Sequence, residues 1–336
     1  MGKRIAIIGA GSWGTALAII AGRAGHDVHL WSRNEAVVDP INREHVNPVY
    51  LTNARIPHTV RATRDILEVV NGAELVILAA PSHATRGLLT TMAPALQREM
   101  IIVSATKGIE SETGKRISQV VAEVVPVATR PRFVCLSGPS FAKEVVENHP
   151  TAVVAASEDR DARRIVQSEL SFDNLRIYTN DDVVGTELGG SVKNVMAIAA
   201  GMVAGLGFGS NSVAALITRG LAEMTRLALR EGARQETLMG LAGLGDLVLT
   251  CTGSLSRNRF VGQELGQGRR LEEITASMKE VAEGVKTALA VKRLADRRQV
   301  EMPITNEVQA VLYEGKLASS AANELMTRPL RDESNQ

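Results

Sequence analysis

Cysteine is almost missing from this chain: of 336 residues, only Cys135 and Cys251 carry a thiol. Two cysteines so far apart supply neither a disulfide framework nor metal-ligand spacing. Two buried thiols in a reducing compartment are expected, and no metal. An excess of one charge is also lacking. The 38 Lys and Arg balance 37 Asp and Glu to a net charge of +1. That excludes a whole-chain pull toward nucleic acid or an anionic membrane, so an anionic ligand needs a local basic site. Long apolar runs are missing too. No uninterrupted stretch reaches the ~18 apolar residues of a membrane span. The most apolar region, Val195–Leu206, is broken by Gly201 and Gly205 and reads as a buried helix. The basic start Lys3–Arg4 and the apolar run behind it imitate a secretory signal. The run is short, meets a Gly-rich turn and has no A-x-A site, so a cytoplasmic protein is expected.

The length suits two domains better than one core. Up to about Tyr178, short apolar runs alternate with helix-period segments. The strand-like runs are Arg4–Ile8, Val28–Trp31, Leu75–Ala79, Ile101–Ala105, Phe133–Ser137 and Ala152–Ala155. Helical periodicity covers Trp13–Ala24, Ala84–Leu96, Lys115–Val124 and Arg160–Leu170. Continuous apolar strands separated by helices predict an α/β domain with a parallel sheet covered on both faces. Beyond Tyr178 the helical period takes over, as in Val195, Ile198, Met202 and Leu206. The predicted division falls near Asn180–Asp182: a doubly wound Rossmann-type domain over 1–180 and an all-helical substrate domain over 181–336.

Gly9, Gly11 and Gly14 form G-x-G-x-x-G directly between the first strand and the first helix. In that context the motif predicts a dinucleotide site. The first glycine permits the tight turn and the second lets the pyrophosphate approach the backbone. The third lets helix and strand pack closely, and the helix N-terminus offers free N–H groups to phosphate. About 20 residues on, where NAD-selective folds carry an acid for the ribose hydroxyl, stand Ser32 and Arg33. An arginine there suits a 2′-phosphate, so NADP, or use of both cofactors, is favoured. A solvated surface arginine also fits the position.

Ligands of open parallel sheets bind beyond the carboxyl ends of the strands. Pro81–Ser82, Ala105–Gly108 with Lys107, and Gly138–Ala142 with Ser140 lie at such ends. Any of them is also an ordinary turn. Lys193 is placed by this reading just before or within the first turn of an almost wholly apolar helix. The macrodipole and burial then both lower its pKa toward the range of general acid–base chemistry. A snorkelling structural lysine fits the same position. Asp246 sits on the Gly-rich stretch Gly243–Asp246. Ser256, Arg257 and Asn258 read as an N-cap and first turn able to cradle phosphate, or as a plain capped helix with surface arginines.

These motifs together resemble the bacterial-type NAD(P)-dependent glycerol-3-phosphate dehydrogenases. The matching stretches are GAGSWGTALA from Gly9, ATKGIE around Lys107, SGPSFAKEV around Ser140 and GGSVKNVMAIAAG around Lys193. GLAGLGDLVLTC around Asp246, SRNRFVG around Arg257 and VAEGVKTA around Glu283 complete the series, in order over nearly the whole chain. Ser191 departs from the alanine common at its position. The resemblance implies interconversion of glycerol 3-phosphate and dihydroxyacetone phosphate for phospholipid synthesis, with Lys193 as proton carrier assisted by Asp246. It implies substrate contacts from Lys107, Gly138, Ser140, Lys193, Asp246, Ser256, Arg257 and Asn258. It implies cofactor contacts from Ser12, Trp13, Arg33, Lys107, Ala142, Arg257, Val281 and Glu283, and a homodimer without membrane insertion or nucleic-acid partners. Two rivals remain at this level. A β-hydroxyacid or 6-phosphogluconate-type dehydrogenase would share both halves, but Lys107 and the Ser256–Asn258 cradle argue against it. A non-catalytic nucleotide sensor would be marked by loss of Lys193 or Asp246, and both are present.

Overall fold

The computed structural model describes residues 2–278, 282–330 and 332–333. The chain forms two compact units, one of residues 1–106 with 117–183, the other of 107–116 with 184–336.

The first unit holds strands β1 (Arg4–Ile8), β2 (Asp27–Trp31), β3 (Val60–Thr63), β4 (Leu75–Leu78), β5 (Ile101–Ser104), β6 (Arg132–Ser137), β7 (Thr151–Ala156) and β8 (Leu175–Asn180). Its helices are α1 (Ser12–Arg23), α2 (Glu35–Glu44), α3 (Ile66–Val70), α4 (Ser82–Met92), α5 (Ile117–Val124), α6 (Ala142–Val146) and α7 (Arg160–Leu170). The strands form one sheet in the order β3-β2-β1-β4-β5-β6-β7-β8. The winding reverses between β1 and β4, which makes the sheet doubly wound and opens the usual ligand crevice at their carboxyl ends. Alternate residues of β1 serve opposite faces. Ile5 and Ile7 join one apolar core, Ala6 and Ile8 another. Burial on both faces is why these strands read as continuous apolar runs.

The sheet departs from the all-parallel expectation at one place: β7 runs antiparallel to β6, and β8 is parallel to β7. The link from Ser137 to Thr151 is short, with the five-residue α6 as its one helix and positive φ at Gly138 (137°) and Asn148 (64°). It reverses the chain instead of crossing over. Strands β3 and β8 escaped the sequence reading. β8 alternates buried Leu175 and Ile177 with exposed Arg176 and Tyr178, as an edge strand does.

The second unit is helical: α8 (Val183–Gly205), α9 (Ser210–Arg230), α10 (Gln235–Met239), a π turn (Leu241–Gly245), α11 (Asp246–Thr252), α12 (Arg257–Gly266), α13 (Leu271–Ala276), α14 (Glu283–Arg298), α15 (Pro303–Tyr313) and α16 (Ala318–Met326). Helix α8 is long and apolar enough to cross a membrane by length and composition, yet 83% of its apolar window is buried inside the protein. It is the centre of the unit's core, with Val192, Val195, Met196 and Ile198 fully buried. Helices α8 and α12 approach through glycines. A Cβ at Gly201 would lie 2.1 Å from the carbonyl oxygen of Arg259, and one at Gly262 would lie 1.9 Å from that of Ile198.

Residues 107–116 leave β5 and belong to this helical unit, which a single cut near residue 180 does not express. Ile109 is fully buried in the helical core. Arg116 pairs with Glu187 of α8 at 2.6 Å, both largely buried. Arg297 of α14 donates to the Thr113 carbonyl oxygen at 3.2 Å.

Candidate active site

In the first unit the Gly-rich turn is built as a phosphate-binding turn requires. Gly9 has φ +117°, and a Cβ there would press on the Ala79 carbonyl oxygen at 2.9 Å. A Cβ at Gly14 would lie 1.8 Å from the carbonyl oxygen of Gly9. At Gly11 nothing lies within 4 Å, so one glycine of the three faces open space. Gly11 is the N-cap of α1 and no side chain caps the helix, so its first N–H groups are available to an anion. This cradle fits a dinucleotide pyrophosphate. Asn47, fully buried, braces it from outside: its amide donates to the Ala10 carbonyl oxygen and to Thr15 Oγ1, both at 2.9 Å. Ser12 Oγ donates to the Tyr50 carbonyl oxygen at 2.8 Å. Asn47 has no signature in a single sequence, because it lies outside the motif.

Arg33 follows the end of β2 and is exposed. Beside it Ser32 is buried and accepts from the Asn34 N–H at 3.2 Å, so of this pair only the arginine reaches solvent. Gly138 (φ +137°) and Ser140 follow β6, with Ser140 Oγ donating to the Gly138 carbonyl oxygen at 3.1 Å, and Ala142 opens α6. Trp13 packs against the core from the first turn of α1.

The second unit gathers the charged candidates other than Arg33. Lys193 Nζ donates to Asp246 Oδ1 and, at 2.8 Å, to Thr250 Oγ1. Lys107 Nζ donates to Asp246 Oδ2 at 3.0 Å. The Asp246 carboxylate is thus shared by two ammonium groups, with Lys193 and Asp246 buried and Lys107 partly exposed. Burial pushes the Lys193 pKa down to about 8 and Lys107 adds to the fall, against the opposing pull of Asp246. Cys251 beside them is held as a thiol, its pKa pushed up to about 12 by burial.

The cause of the Lys193 shift differs from the sequence expectation. Lys193 is not at a helix start but in the middle of α8, which begins ten residues earlier at Val183. The macrodipole is spent within the first turn, so desolvation is what moves the lysine. Gly189 and Gly190, which precede Lys193, are both buried inside the helix.

Ser256 caps α12, its Oγ accepting from the Arg259 N–H at 3.2 Å, with Arg257 and Asn258 in the first turn as expected. Arg257 is exposed and Asn258 buried. Asn258 belongs to a relay: its Nδ2 donates to Asn194 Oδ1 at 3.0 Å, and its Oδ1 accepts from the Gly284 N–H at 2.9 Å. Asn194 Nδ2 in turn donates to the Lys107 carbonyl oxygen at 3.0 Å. The relay ties the Lys107 segment, α8, α12 and the start of α14, where Glu283 stands. Asn194 and Thr250 escaped the sequence reading. The only signal for Thr250 is its i,i+4 spacing from Asp246, and for Asn194 its place beside Lys193. Val281, expected at the cofactor, lies outside the described residues.

A buried lysine–carboxylate pair flanked by a second lysine, in a chain with a dinucleotide turn, can move a proton at an oxygen while a hydride leaves or arrives. Comparison with known proteins agrees. Residues 4–163 match the model of the NAD-dependent glycerol-3-phosphate dehydrogenase N-terminus, and residues 182–323 match that of its C-terminus. The chain is 55% identical over 329 residues to a glycerol-3-phosphate dehydrogenase (NAD(P)+) of Koribacter versatilis, covering 97% of this chain and 98% of that one. It is 50% identical to the one of Geobacter sulfurreducens, covering 99% of each. Among solved structures, glycerol-3-phosphate dehydrogenase from Coxiella burnetii is similar with a TM-score of 0.93 and 42% identity, over 97% of this chain and 99% of that one. The chain belongs to the NAD-dependent glycerol-3-phosphate dehydrogenase family.

Proposed function

We propose that Lys193 carries the proton in the reaction of this family, the interconversion of sn-glycerol 3-phosphate and dihydroxyacetone phosphate. The chain is an NAD(P)-dependent oxidoreductase, and its product supplies glycerol 3-phosphate for phospholipid synthesis. Gly9, Gly11 and Gly14 would hold NAD(P)(H), which when bound would supply or accept the hydride. Lys193 gives its proton to the substrate C2 oxygen during ketone reduction and takes it back during alcohol oxidation. A pKa of about 8 suits both directions near neutrality. Asp246 holds the ammonium in place, with Thr250 fixing its approach. Lys107 and Lys193 together outweigh the one carboxylate by a positive charge, which favours an anionic substrate.

Ser256, Arg257 and Asn258 take the substrate phosphate at the start of α12, through guanidinium and backbone N–H groups. The resemblance adds Gly138 and Ser140 as substrate contacts. It adds Ser12, Trp13, Lys107, Ala142, Arg257, Val281 and Glu283 as cofactor contacts. Exposed Arg33, in the region where NAD-selective folds carry an acid, favours NADPH over NADH. Residues 1–180 without the 107–116 segment form the cofactor half, and 181–336 with that segment the substrate half, of a cytoplasmic homodimer that neither enters membranes nor binds nucleic acid.

The observation that carries the mechanism is the burial of Lys193 against Asp246. Lys193→Ala tests it. Turnover should fall by at least about 10²-fold, the usual scale for a lost acid–base group, with NADPH binding and the melting profile retained. Near-normal turnover in the folded variant would remove Lys193 from the role.

A further inference from the structure

Helix α8 meets the π turn Leu241–Gly245 backbone to backbone. A Cβ at Gly189 would lie 2.4 Å from the Ala242 carbonyl oxygen and 3.3 Å from Gly243 Cα. Real side chains do not reach 2.4 Å from a backbone oxygen, so any residue but glycine pushes the two elements apart. Gly189 has ordinary helical backbone, since its φ is not positive. A glycine inside a helix is otherwise destabilising relative to alanine, so space is what its absence of a side chain provides.

The seat lies next to the chemistry. In the π turn the Gly245 N–H reaches back five residues to the Gly240 carbonyl oxygen at 3.1 Å. One extra residue in a turn rotates everything after it by about 100° relative to a continuous α-helix. The next residue is Asp246. On α8, Gly189 and Lys193 are an i,i+4 pair, on one face and about 6 Å apart along the axis. The turn therefore rests on Gly189, and the carboxylate at its end meets the ammonium one helical turn further on.

We propose that Gly189 is a positioning residue for proton transfer, seating the π turn on α8 so that Asp246 meets Lys193. The inference rests on Lys193 as the proton carrier. Lys193 is faced by Asp246 and Cys251 of α11 and by Lys107 of the 107–116 segment. Of these, Asp246 raises its pKa and Lys107 lowers it, alongside the dominant lowering by burial, while Cys251 stays a neutral thiol. A displaced Asp246 leaves burial and Lys107 less opposed, and the lysine loses its proton at lower pH.

The test is the pH dependence of kcat for ketone reduction in Gly189→Ala, with Ala242→Gly beside it. The second variant loosens the same seat without adding an atom. Gly189→Ala should keep its NADPH affinity and nearly its KM, and lose about 10–10²-fold in kcat, as a misplaced catalytic group does. Its alkaline limb, where Lys193 loses the proton, should move to lower pH. Ala242→Gly should show a smaller shift in the same direction, and it decides alone if Gly189→Ala is insoluble. Gly205→Ala is the control on the same helix, since its Cβ would lie 2.2 Å from the Gln263 carbonyl oxygen, three turns beyond Lys193. It should lower Tm and leave the limb in place. A limb that stays put in the soluble seat variants, or moves equally in Gly205→Ala, overturns the proposal. In Lys193→Ala the limb should vanish. If it persists there, the proton-carrier assignment has failed, which is a different failure from an unmoved limb in the seat variants.

Discussion

Lys107 Nζ stands 3.0 Å from Oδ2 of Asp246, so the carboxylate that orients the buried Lys193 is also bound by a lysine that reaches solvent. The arrangement makes Asp246 the group that opposes burial in holding the proton on Lys193. Asp246 raises the Lys193 pKa against the larger lowering by burial and the smaller one by Lys107.

Asp246→Asn removes the raising influence and leaves the two lowering ones. The folded-state pKa of Lys193 should therefore fall below its value of about 8. With Lys193 as the proposed proton donor, ketone reduction needs the ammonium, so its rate should drop once pH exceeds that pKa. In the variant the drop should begin at lower pH, and kcat at neutral pH should fall by about 10–10²-fold, the range for acid–base assistance. A pH–kcat curve superimposable on the wild type would disprove the coupling.

Arg257 tests the phosphate cradle. Arg257→Ala should cost roughly 2–4 kcal/mol in kcat/KM for dihydroxyacetone phosphate, the scale of a lost charged partner. Activity on unphosphorylated dihydroxyacetone should scarcely change. The measurement is a two-by-two comparison of wild type and variant on both ketones at saturating NADPH. Equal proportional losses would assign Arg257 to the cofactor or the fold.

Arg33→Asp exchanges a partner for the 2′-phosphate for an acceptor of the ribose hydroxyl. The ratio of kcat/KM with NADPH to that with NADH should fall. An unchanged ratio would mean that Arg33 does not read the 2′ position.

Glu223 of α9 is buried and accepts from the N–H groups of Ile304 and Thr305 at 2.7 and 3.3 Å, where α15 begins. Burial outweighs these bonds and pushes its pKa up to about 7 from 4.5. Below pH 4.5 both folded and unfolded chains hold the proton and nothing is lost. Between pH 4.5 and 7 only the folded state holds it, so stability falls as pH rises through that window. Glu223→Gln has no such charge. Its Tm relative to wild type should therefore rise between pH 5 and pH 8, by an amount reflecting a few kcal/mol at most. A constant difference across pH would contradict the assignment.

The dinucleotide turn was legible because its requirements are local. Gly9 must adopt a positive φ, Gly14 must clear a backbone oxygen, and Gly11 must leave space, all within six residues of chain. Strands buried on both faces announce themselves as apolar runs, which is why β1, β4 and β5 were plain. The edge strands β3 and β8 were not, since half their residues face water. The Ser256 cap was legible for the same local reason: a hydroxyl three residues before the N–H it accepts from.

The sequence by itself determined the fold class, the cofactor turn and the candidate residues, because each depends on neighbours in the chain. Only the tertiary structure decided what those residues do to one another. It put Lys193 in mid-helix, assigned residues 107–116 to the helical unit and brought Lys107 and Lys193 to one carboxylate. The physical reason is that desolvation belongs to no residue. A lysine loses its hold on a proton only when packed atoms exclude water from around it, and here those atoms come from segments more than 50 residues apart, as the Lys193–Asp246 bond shows.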